Sequence, residues 1–114
     1  MLLKKIEKGE QIPESYPYPV QTWRLGKTLA LVTLGGEVVV DYSLRLKKEL
    51  GPDVWVMGYA NDVMAYIPSL RVLKEGGYEG GGAMVYYGLP AVWGTKVEEL
   101  IVEEVTRQVK KIRE

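Results

Sequence analysis

Apolar and polar residues alternate first over Val20-Gln21-Thr22-Trp23-Arg24-Leu25, which is the period of a half-buried strand. Gly26-Lys27 supplies a turn, and Thr28 to Leu34 is a denser apolar run suited to a central strand. Together they predict a β-hairpin. Gly35-Gly36-Glu37 then ends the second strand and opens a helix over 37–50. Its apolar stripe is Val38, Val39, Tyr42, Leu46 and Leu50, and Gly51-Pro52 stops it. Glu37 would stand in the first turn, where the helix dipole favours an anion. The β-branched run Val38-Val39-Val40 is poor helix material, so a strand is the competing reading there. Val54-Trp55-Val56-Met57-Gly58-Tyr59 is almost wholly apolar and predicts a short strand buried on both faces. Strand, helix and strand make a right-handed βαβ unit with parallel strands.

The ends of the chain read differently. Residues 2–9 predict one or two turns of amphipathic helix closed by Gly9, as if the tail of a longer helix had been cut. Pro13, Pro17 and Pro19, with Tyr16 and Tyr18 between them, forbid a helix and favour an extended arm. Such an arm is a connector laid over the core by its tyrosines, or alternatively a proline-rich ligand for a partner domain. Residues 60–93 show no period and predict a long irregular loop, with glycines at 76, 77, 80, 81, 82 and 88 around Tyr78, Tyr86 and Tyr87. A closing helix is predicted from Thr95 to Ile112, its buried stripe being Val97, Ile101, Val105, Val109 and Ile112. Thr95 and Glu98 have the spacing of a capping box. The fold class expected is α/β: a small mixed sheet from the hairpin and the βαβ unit, two main helices and a long glycine-rich loop, in one domain of 114 residues. Two helices cover one face of a sheet, so the other is expected to lie bare and to drive a homo-oligomer.

Composition narrows the chemistry. Fifteen basic and fifteen acidic residues give zero formal charge, which argues against a nucleic-acid partner held by bulk electrostatics. No apolar run approaches the roughly 18 residues of a spanning helix, and Met-Leu-Leu-Lys-Lys is not a signal peptide. The absence of cysteine removes disulfide and thiol chemistry and fits a reducing compartment. The absence of histidine matters most. It removes the imidazole base, the Ser–His pair and the commonest zinc ligand, and leaves Ser15, Ser43 and Ser69 with no histidine to activate them.

The glycines of 76–82 lack the Gly-Lys-Ser/Thr of a phosphate loop. They suit a flexible or close-packed loop whose bare backbone can admit a ligand. Glu37 follows the carboxyl end of an apolar strand, the edge on which open α/β sheets place ligands. Tyr59-Ala60-Asn61-Asp62 leaves the next parallel strand on that same edge. Glu37, Asn61, Asp62 and Tyr66 can therefore converge. A carboxylate and a phenol are oxygen ligands for a metal, but two are fewer than a closed zinc site needs.

Three segments carry a family likeness: Gly-Gly-Glu-Val-Val-Val-Asp-Tyr (35–42), Gly-Tyr-Ala-Asn-Asp-Val-Met-Ala-Tyr-Ile-Pro-Ser (58–69) and Glu-Gly-Gly-Tyr-Glu-Gly-Gly (75–81). In this order and spacing they resemble the neutral/alkaline non-lysosomal ceramidase family, in its bacterial ceramidase-like branch. The likeness runs from about Ile12 to Arg113 and covers only the C-terminal part of that family's catalytic domain. It implies a zinc-dependent amidase that cleaves the N-acyl bond of ceramide, its metal held by two histidines, a glutamate and a tyrosine. By motif position Glu37 looks like the glutamate ligand and Tyr66 like the tyrosine ligand. Tyr78 lies in a stretch near the family's active site and, with Asn61 and Asp62, is a candidate for binding substrate. The histidines and the catalytic serine belong to a portion upstream. Alone, the chain is therefore expected to bind zinc weakly or not at all and to be inactive. It would need the histidine-bearing portion as a partner, with a lipid amide as substrate. The other reading is a non-enzymatic α/β binding or assembly module.

Overall fold

The computed structural model describes residues 7–9, 15–82 and 93–114. The architecture is α/β. Strands β1 (Val20–Leu25) and β2 (Leu29–Leu34) form the hairpin, antiparallel from Val20↔Leu34 to Leu25↔Leu29, with Gly26 in the left-handed region at φ +69°. After β2 come a two-residue strand β3 (Glu37–Val38), helix α1 (Asp41–Leu50) and strand β4 (Val54–Met57), which pairs parallel to β2 from Ala30↔Val54 to Thr33↔Met57. The main sheet is thus mixed, in the order β1-β2-β4. A second ladder joins β3 in parallel to β5 (Tyr66–Ile67). Helix α2 (Leu70–Glu75), a π-helical turn (Tyr78–Gly82) and helix α3 (Val97–Ile112) complete the described chain.

The even positions of β1, β2 and β4 face the helices. Ala30, Val32, Leu34 and Val54 are buried there against Tyr42 and Leu46 of α1 and Ile101, Val105 and Val109 of α3. Helix α3 lies on β1 and α1 on β4. The molecule is 19 Å across its thinnest direction, about the depth of one helix layer on one sheet. Tyr16 and Tyr18 pack on the core from the arm, as a connector would. The predicted helix at 2–9 lies largely outside the described residues, as do Tyr86, Tyr87 and Gly88.

Four expectations need correction. Glu37 does not begin a helix. The β-branched Val38 and its neighbours favour extended backbone, and β5 is there to pair with it, so the helix starts at Asp41, which supplies the acid of its first turn. Strand β4 is not buried on both faces: Trp55 is 58% exposed and Met57 50%. Residues 60–82 are not irregular but hold β5, α2 and the π turn, each too short to show a period. The capping box at Thr95 does not form. Helix α3 starts after Lys96 with no side-chain cap, because the Glu98 carboxylate instead accepts from the Leu70 N–H at 2.8 Å and pairs with Arg45.

Ser69 caps α2 by accepting from the Val72 N–H and donates to Asp41 Oδ2 at 2.6 Å. Arg71 closes on the same carboxylate, at 2.8 Å to Oδ1. Together with the Tyr42 hydroxyl, which donates to the Pro68 carbonyl at 2.8 Å, this ties α2 to the start of α1.

Candidate functional site

Two bends of the chain meet at the carboxyl ends of the parallel strands β2 and β4. The first is Gly35-Gly36. Gly36 has φ +72°, and a Cβ there would lie 2.7 Å from the Ala65 carbonyl oxygen and 2.8 Å from Ile67 Cγ1, so only glycine fits. The second is Gly58 to Asp62. The Gly36 N–H donates to the Asp62 carbonyl at 2.7 Å, and its own carbonyl accepts from the Tyr59 N–H at 2.8 Å. Ala60 N–H reaches the Leu34 carbonyl at 3.1 Å. To make this turn Tyr59 and Asn61 adopt left-handed backbone, φ +56° and +68°. A residue with a side chain holds that conformation only where its surroundings fix it, at a cost of about 1–3 kcal/mol.

This backbone sets Glu37 directly opposite Tyr66 in the β3–β5 register. Glu37 N–H donates to the Ala65 carbonyl at 2.8 Å, and Val39 N–H to the Ile67 carbonyl at 3.2 Å, which fixes the two side chains as neighbours. The Tyr66 hydroxyl is held toward the Glu37 carboxylate. That hydrogen bond, with some desolvation and the carboxylate's charge, pushes the phenol up to about 12. Tyr59 is raised as well, by desolvation first and then by the same carboxylate. Tyr78 comes from the π turn and meets the Tyr66 ring edge-on, centroids 5.3 Å apart at 72°. The Trp93 indole N–H donates to the Tyr66 carbonyl at 2.8 Å, and Tyr16 stands edge-on to Trp93 at 6.4 Å.

Of the residues expected to converge, Glu37 and Tyr66 do, and Tyr78 joins them through its ring. Asn61 and Asp62 are on the same turn but their side chains are spent elsewhere. Asn61 Nδ2 donates to Gln21 Oε1 at 3.1 Å, and the Asp62 carboxylate accepts from the Tyr16 hydroxyl. Tyr59 takes the place expected of Asn61. The only signal for it in the sequence is its position, the first side chain after Gly58 at the end of an apolar strand.

Chemically the cluster is one carboxylate faced by phenols that remain protonated at neutral pH, hence an acceptor surrounded by donors. A cation that displaced the Tyr66 proton would find two oxygen ligands in place, and would itself pull the phenol pKa down. Among the described residues no three His, Cys, Asp or Glu side chains are grouped so as to hold a metal, so the donor set here is the pair Glu37 and Tyr66. Of the other ion pairs, Asp41–Arg71 and Arg45 with Glu98 and Glu99 join helices, while Arg45–Glu49, Arg71–Glu75 and Arg107–Glu104 run along single helices. Among the described residues no helix is long and apolar enough to cross a membrane.

No family model, curated protein or solved structure matches this chain.

Proposed function

We propose that the chain is a segment of a ceramidase-like, zinc-dependent amide hydrolase, contributing Glu37 and Tyr66 to the metal site and inactive alone. The observation that carries this reading is the β3–β5 register, which sets a carboxylate and a phenol side by side at the carboxyl edge of a parallel strand pair. These residues fit half of such a site. Both donors are hard oxygens, and the Tyr66 proton is what a cation would have to displace. Zinc, when bound, would supply Lewis-acid polarisation of the scissile amide and a water of lowered pKa. The chain's own part is to hold the Glu37 carboxylate against β5, to keep Tyr66 beside it, and to present Tyr78 as an aromatic wall for substrate. The chain has no histidine, so the remaining ligands must come from another polypeptide portion. That portion is the partner this reading requires, and a lipid amide is its substrate class.

The test is a zinc titration of the whole chain followed by calorimetry and by tyrosinate absorbance. Weak one-to-one binding that releases a tyrosine proton, and is lost in both Glu37→Gln and Tyr66→Phe, is the expected result. No binding up to the solubility limit of zinc, or binding that survives both substitutions, would sink the proposal. A second reading, a non-enzymatic assembly module whose partner is another copy, is favoured by the exposed Trp23, Leu25, Trp55 and Met57 on the main sheet.

A further inference from the structure

The odd positions of the main sheet point away from both helices. Its central row runs Trp23–Leu31–Trp55 across three strands in register. Leu25 and Leu29 lie to one side of it, and Gln21, Thr33 and Met57 to the other. Trp23 is 54% exposed, Leu25 50%, Trp55 58% and Met57 50%. None of these eight positions carries a charge. The two polar ones are already engaged, for Thr33 donates to the Gln21 carbonyl at 3.3 Å and the Gln21 amide oxygen accepts from Asn61. The face is therefore apolar, its polar corner is hydrogen-bonded and partly covered by the turn that carries Asn61, and among the described residues no helix packs on it.

We infer that two copies of the chain associate through this face, with Trp23 and Trp55 of each at the centre of an isologous interface. The exposed parts of Trp23, Leu25, Trp55 and Met57 amount to about 400–500 Å² per copy, given the 150–250 Å² an aromatic side chain can bury. Fully paired, they remove roughly 900 Å² from water, at the small end of interfaces, between an incidental contact and a standard one. The charge pattern selects the occupant. With no cation on the face there is nothing to draw a phosphate backbone or an anionic lipid surface. A copy of the same uncharged face meets no like-charge repulsion, and the chain's zero net charge adds none at longer range. Stacking two sheets about 10 Å apart would give four layers, helix–sheet–sheet–helix, in which the parallel pair β2–β4 is covered on both sides as such pairs usually are. An area at the low end of the range implies a dimer that comes apart on dilution.

The inference is independent of the zinc reading, since the face shares no residue with Glu37 and Tyr66 and the experiment is run with chelator present. Sedimentation equilibrium of the full chain over a wide concentration range should show the mass rising from 12.8 kDa toward twice that value. Trp23→Glu and Trp55→Glu, each checked for native circular dichroism, should weaken association by at least about 30-fold, the loss expected of a central aromatic anchor. Met57→Lys repeats the test with a smaller change. Leu44→Glu, which places a charge on a leucine of α1 that is 64% exposed, should associate like the wild type. A wild-type monomer at every concentration would overturn the inference and leave the face to a different polypeptide. Association that persists in both tryptophan variants, or fails equally in Leu44→Glu, would overturn it too.

Discussion

Replacing Gly36 by alanine tests whether β3 and β5 approach as closely as described. Two costs add. The left-handed backbone at φ +72° costs an L-residue about 1–2 kcal/mol. The new Cβ would also sit 2.7 Å from the Ala65 oxygen and 2.8 Å from Ile67 Cγ1. Ala65 and Ile67 are fully buried, so neither can simply move aside, and forced insertion into a packed interior costs about 1–3 kcal/mol. The expected loss is about 3–4 kcal/mol, a large share of the 5–15 kcal/mol that stabilises an ordinary domain. Gly26 is the control. Its φ of +69° is nearly the same, but nothing lies within 4 Å of its Cβ position, so Gly26→Ala should cost about 1 kcal/mol. Urea denaturation measures both. With a slope of about 1.5 kcal/mol/M, the Gly36→Ala midpoint should fall by about 2–3 M and that of Gly26→Ala by about 0.7 M. In the same variant Tyr66 should titrate nearer its ordinary 10.0, because the displaced strand takes Glu37 away from it. Equal midpoints for the two alanine variants would refute the close approach.

Two other predictions concern the ties between helices. Glu98→Ala removes the acceptor of the buried-side Leu70 N–H and one partner of Arg45. It should cost about 2 kcal/mol in urea denaturation, while Glu98→Gln, which keeps an acceptor, should cost less. Acid should loosen the fold through carboxylates held below their ordinary values, Asp41 by hydrogen bonds from Arg71 and Ser69 and Glu104 down to about 2 by Arg107 and Gln108. Their folded pKa values are depressed, so the stability they contribute is whole above about 4.5 and is lost as pH falls toward about 2. Urea midpoints across that window should fall less steeply in the Asp41→Asn, Glu104→Gln double variant than in the wild type.

The hairpin and α3 were legible because each repeats one period long enough to be counted, Gln21–Leu25 against β2 and Val97 to Ile112 along a single face. Helix α1 was legible in its body but not at its start. Val38 and Val39 satisfy a helical stripe and an extended strand equally well, and only the distant β5 decides between them. The segments 66–67, 70–75 and 78–82 could not be read at all by period, since a two-residue strand and a six-residue helix are defined by their partners. Ser69 and Asp41 make α2 possible, and that pairing spans most of the βαβ unit. At the site, Glu37 and Tyr66 could be named from motif and edge position. Asn61 could not be distinguished from Tyr59, because which residue of a turn points inward depends on φ at both, and although Asn favours the left-handed region, nothing in its residue type puts Tyr59 there. The capping box at Thr95 failed for a similar reason: Glu98 had the Arg45 guanidinium and the Leu70 N–H in reach, both from other helices.

The two-residue ladder that carries Glu37 and Tyr66 also has a place in time. Pairing β3 with β5 from an open chain means closing the long loop between them, an entropic cost repaid by very few bonds. Once β2 and β4 have aligned, Gly36 and Gly58 are already adjacent and the closure left is short. The ladder is therefore expected to form last and to open first, as a small cooperative unit on a firmer sheet. Hydrogen exchange would register this as amides of Glu37 and Val39 that exchange well before those of β2. A ligand that bridged the two strands would slow the exchange of these amides in proportion to its occupancy, without altering the rest of the sheet.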